Sequence, residues 1–241
     1  MRKDNQELMS IDLRNILIQA FSLYKKGPSV FISAGLIYGF ANVSDALIYK
    51  FFHLSSMGVF LCVNFLITSW ASMIIFYASA QIIQGKDVDL ISAFRYVKGK
   101  YIKFIYVSFL LFGIVMLGSL FFIIPGLYFM TIFLLVDLLV VLEDHPLENF
   151  FRRSAYLIKG HFGTAFLCFA LMTLLLVFPA FVLQLFKGED PVALRTIALM
   201  IGVFIFPYYN IVQVAFYYRL KEIKQDEELS EDKVDFISSS T

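Results

Sequence analysis

The chain has 241 residues, 59% of them hydrophobic and 16% charged, with a mean hydropathy of +0.76 and a formal net charge of +1. A soluble domain carries about half apolar residues, so this much apolar side chain excludes an ordinary water-soluble core. The near-neutral balance gives no electrostatic case for nucleic acid. The two cysteines, Cys62 and Cys168, each stand inside an apolar run and read as small hydrophobes. Neither a disulfide, a metal site nor a cofactor is expected from them.

Residues 1–15 are too charged for a signal-peptide core with a small-residue cleavage site, so the first apolar run is expected to be retained. Six runs follow, at 30–51, 57–83, 102–124, 127–142, 162–186 and 196–218. Crossing a ~30 Å hydrocarbon core takes roughly 20 residues of helix. Lipid offers no partner to backbone N–H and C=O groups, and the runs lack the alternation of barrel strands, so helices are the economical form. The predicted fold class is all-α: a polytopic membrane protein with six transmembrane helices in three hairpins, each hairpin preceded by an in-plane amphipathic helix. Pro125-Gly126, between the third and fourth runs, is expected to break the helix and make a tight reversal.

The segments before the first, third and fifth runs share a template. At 100° per residue, Leu13, Ile16, Leu17, Ala20 and Tyr24 form one apolar arc that leads to Lys25-Lys26-Gly27. Leu90, Ala93, Phe94 and Val97 lead similarly to Lys98-Gly99. In the third copy Phe150, Phe151, Ser154, Leu157 and Ile158 oppose Glu148, Asn149, Arg152, Arg153, Tyr156 and Lys159, and Gly160 ends the helix. Pro146 suits its first turn, with Asp144 or His145 as the cap. Three repeats are therefore expected, at about 9–83, 87–142 and 145–218, within a membrane domain of residues 1–222. Residues 223–241 are acidic and serine-rich and are expected to form a disordered tail. The in-plane helices are expected at the membrane interface, apolar face in the acyl boundary and basic face toward anionic headgroups. The alternative is that they pack on the protein's own end as connectors.

Lysine and arginine gather before the first run, between the second and third, between the fourth and fifth, and after the sixth. Both termini are therefore expected on the cytoplasmic side of an inner membrane. The expected partners are a bilayer with anionic headgroups and a membrane protein, with no nucleic acid.

Polar groups inside apolar runs are costly and mark candidate sites. Asp45, with Asn42 and Ser44, has Lys50 nearby and suggests an ion pair near the outer interface. Asp137 has no basic residue in its own helix. It serves either as a proton or cation site or, protonated, as a hydrogen-bond partner of Asn64, Thr68, Asn210 or Gln213. Pro207 is followed by Tyr208, Tyr209, Asn210 and Gln213, a proline-kinked patch that either lines a cavity or holds helices together. Tyr217, Tyr218 and Arg219 have the composition of an interfacial anchor. Glu143, Asp144 and His145 form the densest titratable group. Acids at a helix C-terminus oppose its dipole, so these need water or a partner such as Arg152 or Arg153. The histidines His53, His145 and His161 are isolated in sequence, and there is no H-E-x-x-H, no G-x-S-x-G and no P-loop.

Ile124-Pro125-Gly126-Leu127-Tyr128, a short run ending in Glu143, then Phe151-Arg152-Arg153-Ser154 and Lys159-Gly160-His161-Phe162 carry a family resemblance. The pattern is similar to that of bacterial multi-pass proteins related to the membrane domain of glycerophosphoryl diester phosphodiesterases, and to uncharacterised inner-membrane families beside it. It departs at Ala155, where the family usually has a tryptophan or other bulky aromatic. The resemblance implies the membrane part alone, without the separate soluble hydrolase domain. The expected function is that of a non-enzymatic scaffold, lipid-interacting module or partner subunit. The alternatives are a small transporter or channel using Asp137 and the 207–213 patch, and a lipid enzyme centred on Glu143 and the arginines.

Overall fold

A computed structural model describes the backbone of residues 11–52, 57–185 and 191–239, and the side chains of 11–41, 62–120, 122–178 and 200–229. The side chains of Asn42, Ser44, Asp45 and Lys50, and residue His53, lie outside the described residues. The described chain is all-helical: α1 (Leu13–Lys26), α2 (Pro28–Phe52), α3 (Met57–Ile83), α4 (Leu90–Phe121), α5 (Ile123–Ile132), α6 (Val136–Leu142), α7 (Leu147–Ile158), α8 (Phe162–Leu185) and α9 (Pro191–Ser239). Among the described residues four stretches are long and apolar enough to cross a membrane: Cys62–Ile83, Leu90–Leu120, Ile123–Leu142 and Met200–Leu229. The pair α7 and α8, bent by 104°, makes a fifth if counted as one span. This is the build of a membrane protein.

Helix α1 starts at Asp12, whose extended backbone and side-chain bond to the Arg14 amide, 2.9 Å, cap the first turn. It ends at Gly27, where an added Cβ would stand 2.7 Å from Ile82 of α3. Helix α2 lies against α9 at Pro207. Proline has no N–H to give the Val203 carbonyl, and a Cβ on Gly35 would fall on that same carbonyl oxygen, 3.1 Å from Pro207 Cγ. Glycine thus admits the close approach of the two helices, and Tyr38 stacks on Phe206 beside it at 4.1 Å. Trp70 of α3 sits between Phe94 and Tyr101 of α4, at 4.6 and 4.5 Å. The centre of the molecule is α6, whose Val136, Leu138, Leu139, Val140 and Val141 are all buried.

Several local expectations are corrected. The chain reverses at Phe122, extended at φ −163° and ψ 153°, and not at Pro125-Gly126. Pro125 occupies the first turn of α5, where proline removes no helical bond. Gly126 serves packing: a Cβ there would fall on Ser119 Oγ and stand 3.1 Å from Ser119 Cβ, so α5 crosses α4 nearly backbone to backbone. The second amphipathic segment is no separate element, because α4 runs through Gly99 without a break. The fourth run is divided at residues 133–135. There the Val136 amide bonds Phe133 O at 3.1 Å, which leaves Ile132 O without its helical donor. Ser154 of α7 supplies one, its hydroxyl donating to Ile132 O at 2.7 Å.

Pro146 is itself the N-cap of α7, with no side-chain cap from Asp144 or His145. At the other end Gly160 adopts φ +89°, a left-handed conformation open to glycine, and the chain turns into α8. The apolar faces of α1 (Ile16, Ala20, Leu23) and α7 (Phe150, Ser154, Leu157, Ile158) are buried in the protein. Those faces therefore follow the connector alternative, because α6 and α9 offered them an apolar surface closer than the acyl layer. Helix α9 continues past residue 222 to Ser239, where a disordered tail was expected. The i,i+3 pairs Arg219–Glu222 and Lys224–Glu227 support the extension.

Candidate functional site

The stretch at 141–145 is held from two sides. On the first, Tyr96, Lys100 and Lys103 share a face of α4. Tyr96 Oη and Lys100 Nζ both donate to Val141 O, at 3.1 and 3.0 Å, so a cation satisfies an end carbonyl of α6 and complements its dipole. Lys100 Nζ also pairs with Asp144 Oδ1 at 2.9 Å, and this bond holds the Asp144 carboxyl below its usual range. Lys103 Nζ donates to His145 O at 2.7 Å and lies 4.7 Å over the Phe150 ring.

On the second side, Glu143 turns inward, its side chain 11% exposed. Tyr217 Oη of α9 donates to Glu143 Oε1 at 2.6 Å. His145 Nε2 stands 3.0 Å and Arg153 Nε 3.7 Å from Oε2, within ion-pair range. Neither is aligned to hydrogen-bond it, and Oε2 and Arg153 Nε are both buried without a hydrogen bond. The acids thus find Lys100, Tyr217, His145 and Arg153; Arg152 is exposed and takes no part. Glu143, Asp144 and His145 do not form a metal-binding group among the described residues. Tyr217, expected at the interface, is 2% exposed. His161, in the turn before α8, is held below the usual histidine range by burial and then by the Lys224 charge.

Asp137 lies about 9 Å of helix rise below Glu143. Its partner is Ser108 of α4, which donates to Oδ1 at 2.7 Å; none of the expected partners bonds it. Thr68 donates to Asn64 O and Phe65 O, and Asn210 Nδ2 to Phe206 O at 2.8 Å, each within its own helix. The described residues give Asn64 no side-chain bond. Asp137, Ser108, Tyr209 and Gln213 line a cavity of about 250 Å³ whose remaining wall is apolar. The 207–213 patch is divided: Tyr209 and Gln213 face the cavity, Asn210 is buried elsewhere, and Tyr208 Oη donates to Leu17 O at 3.1 Å. Sequence reasoning missed Ser108, Lys100, Lys103 and Tyr217; only the i,i+4 spacing of Tyr96 and Lys100 gave any local signal.

No protein-family model matches the chain, and comparison with curated proteins and with solved structures finds no similar protein.

Proposed function

We propose that the chain is a non-enzymatic, six-span protein of the cytoplasmic membrane whose basic end rests on anionic headgroups. There it acts as a lipid-interacting module or scaffold for a membrane partner. One observation carries this reading. Arg14, Lys25, Arg95, Lys98, Arg152 and Lys159 are exposed and have no acidic partner among the described residues, whereas Lys100, Arg153 and Lys224, which face the protein, are each beside a carboxylate. The unpaired cations stand among exposed apolar side chains. On α1, Arg14, Ile18, Phe21 and Lys25 share the outward face, with Lys25 Nζ 4.5 Å over the Phe21 ring. On α4, Ile91 and Phe94 flank Arg95. Outward cations interleaved with apolar groups suit a surface that is apolar below and anionic above.

Helices α2 and α8, with 25 and 24 residues, are long enough to complete six spans. The positive side of such a protein is its cytoplasmic side. The resemblance of residues 125–162 to glycerophosphoryl diester phosphodiesterase membrane domains supports reading these residues as part of a membrane domain. The inward turn of Glu143 onto Tyr217 leaves that carboxyl poorly placed for a lipid substrate. Lipid mass spectrometry of the chain extracted from native membranes tests the proposal. Anionic lipids are expected to be enriched over their share of the membrane, and bulk proportions would overturn it. The Asp137 cavity favours a second reading, a small transporter, which flux measurements in proteoliposomes test.

A further inference from the structure

We infer that the Asp137 cavity is a binding site for the primary ammonium head of a single-chain amphiphile that enters from the acyl layer. The hydrogen-bonding capacity left on its wall selects the head. Ser108 spends its hydrogen on Asp137 Oδ1, and Gln213 Nε2 donates to Tyr209 Oη at 3.1 Å. What remains is three acceptors, Asp137 Oδ2, Gln213 Oε1 and a lone pair of Ser108 Oγ, beside two donors, the Tyr209 hydroxyl hydrogen and the second hydrogen of Gln213 Nε2. A primary ammonium has three donors and no acceptor, which matches the three acceptors around the carboxyl. No lysine, arginine or histidine lines the cavity, so the carboxyl lacks a counter-charge that the ligand would bring, and an unpaired carboxylate there is costly. An anionic head would meet Asp137 as a like charge, and a quaternary ammonium has no N–H to donate.

The wall selects the rest of the molecule. Phe65, Phe112, Phe133 and Phe169 surround the polar groups, a lining for methylenes and for a cation beside aromatic faces. Phe112 and Met130 at its edge are 62% and 40% exposed on the apolar belt of the molecule, so the cavity opens toward acyl chains and away from the basic end. Its volume, about 250 Å³, is just below the ~300–1,000 Å³ of sites for drug-sized ligands. It holds a head and its first methylenes, and the tail stays in the bilayer.

The site shares its cavity with the transport reading and does not depend on it: binding tests the site, flux tests transport, and either can fail alone. The assay is native mass spectrometry of the full chain in micelles, titrated with dodecylamine, dodecyltrimethylammonium, dodecanol or dodecanoate. Dodecylamine is expected to bind at least tenfold more tightly than the other three. Asp137→Asn is expected to weaken the amine at least tenfold while leaving dodecanol unchanged. Gln213→Leu, which keeps the carboxyl, is expected to weaken it several-fold and serves if the asparagine variant does not fold. Equal binding of the primary and quaternary amines, or full amine affinity in both variants, would overturn the inference.

Discussion

Replacing Tyr217 with phenylalanine removes one hydroxyl from a side chain that is 2% exposed and leaves the ring in place. The hydroxyl is the hydrogen-bond donor to Glu143 Oε1, at 2.6 Å, while Oε2 accepts none despite His145 and Arg153 nearby. Without Tyr217 the inward carboxyl keeps only those two misaligned neighbours. Hydrogen bonds to charged groups contribute about 1.5–3 kcal/mol, and a buried unsatisfied acceptor costs a similar amount. The expected loss is therefore about 2–3 kcal/mol. Glu143→Gln keeps an acceptor for Tyr217 but loses attraction to His145 and Arg153, so it should cost less. The double variant should show a coupling of about 1–2 kcal/mol, because its two sites meet at one bond. Reversible unfolding of the four proteins in mixed micelles, followed by far-UV circular dichroism, measures the cycle. If Tyr217→Phe costs under about 0.5 kcal/mol, or if the two changes simply add, the Tyr217–Glu143 bond does not tie α9 to the chain end of α6.

Other changes separate packing from turn chemistry. Gly126→Ala should destabilise by about 1–3 kcal/mol through overpacking on Ser119, and Ser119→Ala should restore at least half of that in the same unfolding assay. Pro125→Ala should have little effect, and a large loss there would return the reversal to the Pro-Gly pair. Ser154→Ala orphans the Ile132 carbonyl and should cost about 1–3 kcal/mol; a neutral result would mean another donor reaches it. Burial lowers the folded pKa of His161, so its contribution is complete above the unfolded value near ~6.5 and is lost as pH falls through the folded pKa. Thermal melts from pH 7.5 down to 5 should show this decline in the wild type, and His161→Gln should flatten it.

Local chemistry made some of this fold legible and tertiary chemistry hid the rest. The apolar runs reveal membrane-crossing helices because lipid leaves the backbone few options. The expected breaks at Gly27 and Gly160 coincide with real helix ends, and the same pattern at Lys98-Gly99 does not. A glycine inside a helix costs only about 1 kcal/mol, and α4 continues because Tyr96, Lys100 and Lys103 on its unbroken face hold the end of α6 and the chain just beyond it. Phe122 gave no sign of a turn, since one extended residue of any type suffices. Asp137 and Glu143 stood out as polar groups in apolar surroundings. Their partners, Ser108 and Tyr217, lie 29 and 74 residues away, and no periodicity connects them. Tyr217-Tyr218-Arg219 has the composition of an interfacial belt, and only the packing of α9 on α7 and the bond to Glu143 show the first tyrosine to be interior.

The basic end is where the account is most exposed to test. Six exposed cations, Arg14, Lys25, Arg95, Lys98, Arg152 and Lys159, are replaced by glutamine, and the chain is titrated in nanodiscs with mixed zwitterionic and anionic lipid. Each cation near an anionic surface contributes about 1 kcal/mol and is screened by salt. The wild type should retain anionic lipid preferentially at low salt and lose the preference as salt rises, while the variant, equally folded, should show no preference at any salt. Equal enrichment of anionic lipid around both proteins would contradict the proposal.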